Sequence, residues 1–124
     1  MLAAQVKSEI VQRFGPRGYL DQPADLTLYE YDGQVDKAKP DIVVFPRATE
    51  DVAAIVQLAH RHNIPLVGRG AGTGLSGGVI PRAGGIMISF ARMNRILEID
   101  LANERVLVEA GVVNLDVTLA VQGD

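Results

Sequence analysis

Along the first residues of the chain, Val6, Ile10, Val11 and Phe14 fall on one side of a helical wheel, and Gly15-Pro16 breaks the pattern. The spacing predicts a short amphipathic helix over 3–14. Residues 15–40 keep no period and are interrupted by Pro16, Gly18, Pro23, Gly33 and Pro40. They are expected to be irregular but ordered, because Leu26, Leu28 and Tyr29 give the stretch something to bury. From Asp41 the signals sharpen. Ile42-Val43-Val44-Phe45 is a β-branched run of the kind that suits a strand buried on both faces, and Pro46 ends it. Thr49 is then placed to cap a helix whose first turn carries Glu50 and Asp51. Val52, Ile55, Val56 and Ala59 would form its apolar stripe. Asn63 suits the left-handed stop, Pro65 forbids continuation, and Ile64 to Val67 reads as the next strand.

Strand, helix and strand in so short a span make a βαβ unit, with the two strands parallel and the crossover right-handed. Further on, Ile86 to Phe90 reads as another strand. Ile96–Asp100 and Arg105–Glu109 flank a turn at Ala102-Asn103-Glu104, which predicts a hairpin. Asn114 is placed to cap a last helix through Val121. The expected class is α/β: a small mixed sheet with a βαβ unit and flanking helices.

At 124 residues the chain holds one core and not two ordinary domains. It has no cysteine, which excludes disulfides, thiolate chemistry and Cys-held zinc or iron–sulfur sites. No apolar h-region follows the first residues, and no run is long enough to span a bilayer. The expected location is the cytoplasm, including the inner face of a membrane as a peripheral protein. Between Asp51 and Glu98 there is no acidic residue, while Arg61, Arg69, Arg82, Arg92 and Arg95 all fall there. The middle of an acidic chain is therefore locally cationic, which suits a small anion. The basic residues are not clustered and aromatics are few, so nucleic acid fits poorly.

That cationic stretch contains Gly68-Arg69-Gly70-Ala71-Gly72-Thr73-Gly74-Leu75-Ser76-Gly77-Gly78, with six glycines in eleven residues directly after a strand. Such a segment exposes main-chain N–H groups and lets a ligand approach closely, and phosphate is the usual guest. A Walker loop needs Lys and Ser/Thr after its last glycine; here Val79 follows Gly78. Gly72-Thr73-Gly74-Leu75-Ser76-Gly77 matches the dinucleotide fingerprint literally, and Glu98 lies 21 residues beyond Gly77. The fingerprint also needs a helix starting inside it, and Pro81 and Gly84-Gly85 leave no room for one. A loop that wraps pyrophosphate with successive amides, helped by the Thr73 and Ser76 hydroxyls, needs no helix. Those two residues are equally at home as simple turn formers.

From about Tyr31 to Val121 the chain resembles the first part of the FAD-binding domain of PCMH-type (vanillyl-alcohol oxidase class) flavoproteins. The stretches that carry the likeness are Pro40–Val52, Pro65–Gly78 and Val108–Val112. Tyr31-Asp32-Gly33, the wording of Arg69–Gly78 and Arg92-Met93-Asn94-Arg95-Ile96 lean toward the branch of glycolate oxidase flavin subunits and FAD-linked D-lactate dehydrogenases. One departure is Ala110, where that family usually has proline before Gly111.

The resemblance implies an N-terminal helix and approach segment over 1–39 and the beginning of an FAD-binding domain over 40–124. It implies that Arg69, Gly70, Ala71, Gly72, Thr73, Gly74, Leu75, Ser76, Gly77 and Gly78, together with Pro46 at the adenine side and Gly111, hold FAD. With no histidine in the loop and no cysteine anywhere, the flavin is expected to be non-covalent. The implied reaction is oxidation of a small (R)-2-hydroxy acid by hydride transfer to FAD. The implied partners are an iron–sulfur electron-transfer subunit and a second FAD-binding subunit. The base, any metal ligands and the substrate-binding cap are expected outside this stretch, so no catalytic residue is assigned within it. Two other readings stay open: a nucleotide-binding module without redox activity, and a nicotinamide-dependent dehydrogenase using the literal fingerprint.

The remaining polar residues have plainer explanations. His60 and His62 point about 200° apart on a helix and serve best as cations at its C-terminus, not as a metal pair. Glu98, Asp100 and Glu109 alternate with apolar residues and are expected on the solvent face of the hairpin. Tyr29 and Tyr31 are expected to pack.

Overall fold

The computed structural model describes residues 2–27, 39–70 and 84–122. In chain order the elements are α1 (Ala4–Phe14), β1 (Tyr19–Leu20), α2 (Pro23–Leu26), β2 (Ile42–Val44), α3 (Thr49–Arg61), β3 (Leu66–Arg69), β4 (Ile86–Ser89), β5 (Ile96–Asp100), β6 (Arg105–Val108) and α4 (Asn114–Val121).

Four strands form a mixed sheet in the order β1-β2-β4-β3, and β5 and β6 form a separate antiparallel pair. β2, β4 and β3 are mutually parallel, with Ile42 and Leu66 both in register with Ile86, while β1 runs antiparallel to β2. The βαβ strands are thus parallel as expected, but β4 sits between them.

The two faces of the sheet are apolar, which is why β2 and β4 are continuous hydrophobic runs. Ile42, Val44, Ile86 and Ile88 pack with Val6 and Ile10 of α1 and with Ile55, Leu58 and Ala59 of α3. On the opposite face Val43 and Met87 meet Leu26, with Leu20 and Phe45 beside them. Gly15 ends α1 at φ 68°, its N–H donating to the Val11 carbonyl, and Asn63 follows α3 at φ 54°. Asn63 makes the positive-φ stop that asparagine tolerates, while Gly15, at ψ 174°, takes a positive-φ backbone that suits glycine.

Four expectations need correction. The stretch 15–40 is not simply irregular: β1 and α2 lie in it, formed because Tyr19 and Leu20 pair with Val44 and Val43 and because Pro23 starts a helical turn that buries Leu26. Thr49 is the first helical residue, not the cap. Ala48 takes the extended cap position, and the Asp51 carboxylate reaches back to accept from the Arg47 N–H at 3.2 Å. Val56 is exposed and Leu58 takes its place in the stripe, because α3 lies beside α1 and meets the sheet through Ile55, Leu58 and Ala59. Asn114 likewise begins α4, with Val113 extended at its cap. Leu28, Tyr29 and the Tyr31-Asp32-Gly33 approach lie outside the described residues.

The hairpin forms where expected, with a bulge between Ile96 and Glu98. Its turn is closed by Asp100, whose carboxylate accepts from the Asn103 backbone (3.2 Å) and side-chain (2.8 Å) N–H groups, and Glu104 takes φ 52°.

Candidate functional site

Three parallel strands end on one edge of the sheet. β2 runs into Phe45-Pro46, β3 into Arg69-Gly70, and β4 into Ser89-Phe90. β4, last in sequence of the three, lies between the other two, so this edge is a place where strand order reverses and ligands commonly bind.

After β4 the chain turns sharply, Met93 N–H donating to the Phe90 carbonyl at 2.9 Å. The return of the hairpin is seated on that turn: Gly111 N–H donates to the Met93 carbonyl at 2.8 Å. A Cβ on Gly111 would land on the Phe90 carbonyl oxygen, so only glycine permits this approach. Between turn, β3 and α4 opens a cavity of about 340 Å³, lined among others by Arg69, Gly70, Ser89, Asn94, Gly111 and Asp116. Among the described residues nothing stands within 4 Å of where a Gly70 Cβ would be. Arg69 is the cation of the described lining and Asp116 the anion. Beside the cavity the Arg92 guanidinium lies 5.6 Å from the centre of the Phe45 ring, a cation–π contact that joins the ends of β2 and β4.

Residues 40–123 match the family of FAD binding domains. The chain belongs to that family. Its cofactor is accordingly FAD, and the fold is the small mixed α/β arrangement of the PCMH-type flavoproteins. The chain is 38% identical over 123 residues to the glycolate oxidase subunit GlcD of Bacillus subtilis (strain 168), covering 98% of this chain and 26% of that one. To the D-lactate dehydrogenase of Anaerostipes hadrus it is 45% identical over 76 residues, 61% of this chain and 16% of the relative. Among solved structures, 4-ethylphenol oxidase from Gulosibacter chungangensis superimposes with a TM-score of 0.84 at 31% identity, over 96% of this chain and 24% of that one. The chain thus spans about a quarter or less of each of these relatives.

Of the residues expected to hold FAD, the structure brings Arg69, Gly70 and Gly111 to one cavity. Pro46 is buried at the end of β2 and is not among that lining. Ala71, Gly72, Thr73, Gly74, Leu75, Ser76, Gly77 and Gly78 lie outside the described residues, and so does any helix beginning near Gly74. An arginine, a glycine main chain and a polar wall fit an anionic portion of the family's cofactor.

Sequence reasoning missed Ser89, Asn94 and Asp116 as parts of this wall. Ser89 carried a usable signal: it is the one hydroxyl in the apolar run of β4, and it is 4% exposed. Asn94 and Asp116 carried none, since only the turn after β4 and the return through Gly111 bring them to the cavity.

The acidic residues of the hairpin also differ from expectation. Glu98 is exposed, but Glu109 is not a solvent-facing charge. Its carboxylate accepts from Arg95 Nε at 3.0 Å, Nη2 at 3.2 Å and the backbone N–H at 2.8 Å. The Arg95 hydrogen bonds hold its carboxyl below the usual carboxylate range. His60 falls in the last turn of α3, and His62 Nε2 lies 4.0 Å from Glu9 Oε2 on α1. Among the described residues no helix is long and apolar enough to cross a membrane.

Proposed function

We propose that this chain is the opening part of the FAD-binding domain of a longer oxidoreductase that oxidises a small (R)-2-hydroxy acid, glycolate or D-lactate. The observation that carries the proposal is the meeting of Arg69, Gly70 and Gly111 at one cavity, at the strand edge from which the glycine-rich segment departs. The substrate class rests on similarity to a glycolate oxidase subunit and a D-lactate dehydrogenase.

In this reading the Arg69 guanidinium offers a planar set of donors to a pyrophosphate oxygen. Gly70 and the glycines after it would offer main-chain N–H groups to the same phosphates. Gly111 supports the site by letting the hairpin return close to β4. FAD held by these residues would supply hydride acceptance from the substrate's α-carbon. This chain's residues bind and orient the cofactor, and the base that takes the hydroxyl proton lies elsewhere in the protein. The flavin is held without a covalent bond, since the loop contains neither histidine nor cysteine. An iron–sulfur partner subunit would take the electrons onward, and a second FAD-binding subunit would complete the assembly.

The test is the visible spectrum of the full-length protein, followed by heat release and chromatography of the cofactor. A yellow protein that releases intact FAD, and turns over glycolate or D-lactate, is the expected result. Replacing Gly72 and Gly74 by Val should abolish FAD binding. A colourless protein that ignores added FAD but binds NAD would overturn the reading in favour of the literal fingerprint.

A further inference from the structure

β3 ends at Arg69 and its parallel neighbour β4 begins at Ile86, so residues 70–85 must carry the chain from one edge of the sheet back to the other. Both ends of this crossover are tied to the sheet. At the first, Phe90 N–H donates to the Arg69 carbonyl at 3.1 Å. At the second, the chain re-enters through Gly84 at φ 75° and Gly85 at φ 87°. A Cβ on Gly85 would strike the Pro65 carbonyl oxygen, so Ile64-Pro65 and the glycine pair lie back to back.

The re-entry is gripped from both sides by one residue. Asp41, immediately before β2, donates its N–H to the Gly85 carbonyl at 2.8 Å, and its Oδ2 accepts from the Gly85 N–H at 2.8 Å. A Cβ on Gly84 would stand 2.9 Å from that same oxygen, so the first glycine of the pair makes room for the carboxylate. These contacts join positions 44 residues apart. The hydrogen bond to a carboxylate is charge-assisted and partly buried, which makes it stronger than a neutral surface contact. No part of this arrangement touches the cavity at the opposite strand edge.

We propose that Asp41 is a positioning residue for the cofactor site. By fixing Gly85 it sets where the glycine-rich crossover rejoins the sheet, so that end of the segment is anchored before the cofactor arrives. Ordering paid in advance strengthens binding without adding a contact. The proposal rests on the reading that the crossover holds FAD.

The experiment compares wild type, Asp41→Ala, Asp41→Asn and Gly84→Ala in the full-length protein. Two quantities are read at a temperature where circular dichroism shows every variant folded. One is the FAD dissociation constant from titration of the apoprotein; the other is amide hydrogen exchange of the peptide spanning 70–86. Asp41→Ala removes the acceptor and should weaken FAD binding about tenfold or more, with faster exchange across the peptide. Asp41→Asn keeps an oxygen that accepts the same N–H and should stay within about threefold of wild type. Gly84→Ala crowds the carboxylate and should act in the direction of Asp41→Ala, which keeps the test decisive if the latter does not fold. An Asp41→Ala protein with a lower melting temperature but unchanged dissociation constant and exchange would overturn the proposal. A wild-type protein that binds no FAD, while its exchange still responds to Asp41→Ala, would overturn the FAD assignment and support the anchor.

Discussion

The four-stranded sheet with its helices and the hairpin with α4 are built on different terms. In the first, Ile42, Val44, Ile86 and Ile88 are at most 3% exposed and are covered by α1 and α3. In the second, Leu97, Leu101, Leu107, Leu115 and Leu119 are all more than half exposed. Among the described residues, every exposed large hydrophobic except Val56 lies between Leu97 and Leu119. The sheet half is held by a core of its own. The hairpin half is held by its ladder, by the seat of Gly111 on the Phe90–Met93 turn, and by the Arg95–Glu109 clasp. The cavity lies where the two meet, so one wall of the candidate site is rigidly packed and the other depends on a joint.

The sharpest way to break that contrast is to make similar truncations in both halves. Ile86→Ala, at the centre of the sheet, should lower unfolding free energy by about 2–5 kcal/mol in urea titration, through lost transfer energy and the cavity left behind. Leu119→Ala should change it by no more than about 0.5 kcal/mol, since that side chain is already in water. Equal effects would mean that the hairpin half has a core after all.

Gly111→Ala tests the joint. The new methyl must displace the Phe90 carbonyl, at a cost of about 1–3 kcal/mol. FAD affinity should fall with it, because Gly111 and Asn94 line the cavity from the two sides of that seat. Retained stability together with retained affinity would show that the hairpin sits elsewhere.

A smaller effect is expected at the Arg95–Glu109 clasp. Folding lowers the Glu109 carboxyl below its ordinary value. The clasp therefore adds stability above the unfolded carboxylate range and loses it as pH falls through the lowered value. Amide protection of the hairpin, taken relative to the intrinsic exchange rate at each pH, should fall on acidification in wild type and stay level across that pH step in Glu109→Gln, while protection of the sheet is unchanged. The least effect on stability belongs to Leu115→Ser with Leu119→Ser, which should leave the denaturation curve in place. Those substitutions should reduce self-association in sedimentation velocity, because they remove exposed apolar area.

Much of this was legible in the sequence wherever one local rule decided the outcome. The runs at Ile42 and Ile86, the stops at Gly15 and Asn63, and the hairpin around Asn103 all follow from propensity and period. Three of the misses share a cause. Tyr19-Leu20 is a strand only because β2 offers a partner, and Leu58 displaces Val56 because of where α1 lies. Glu109 escapes solvent because Arg95 reaches it across the hairpin ladder. Each is decided by a neighbour distant in sequence, which no window along the chain contains. The candidate site divides the same way: the glycine-rich segment announced itself by composition, whereas Asn94 and Asp116 reach the cavity only through a tertiary turn.

The position of β4 also governs the order in which the molecule can be assembled during synthesis. Among the described residues β3 pairs only with β4, and that pairing waits until residues 86–89 have left the ribosome. β2 has at most the two-residue β1 for company until then. The glycine-rich crossover must therefore be fully emerged before any of the parallel ladder can close. Closing that ladder costs the loop-closure entropy of the residues between Arg69 and Ile86, before the segment meets a ligand.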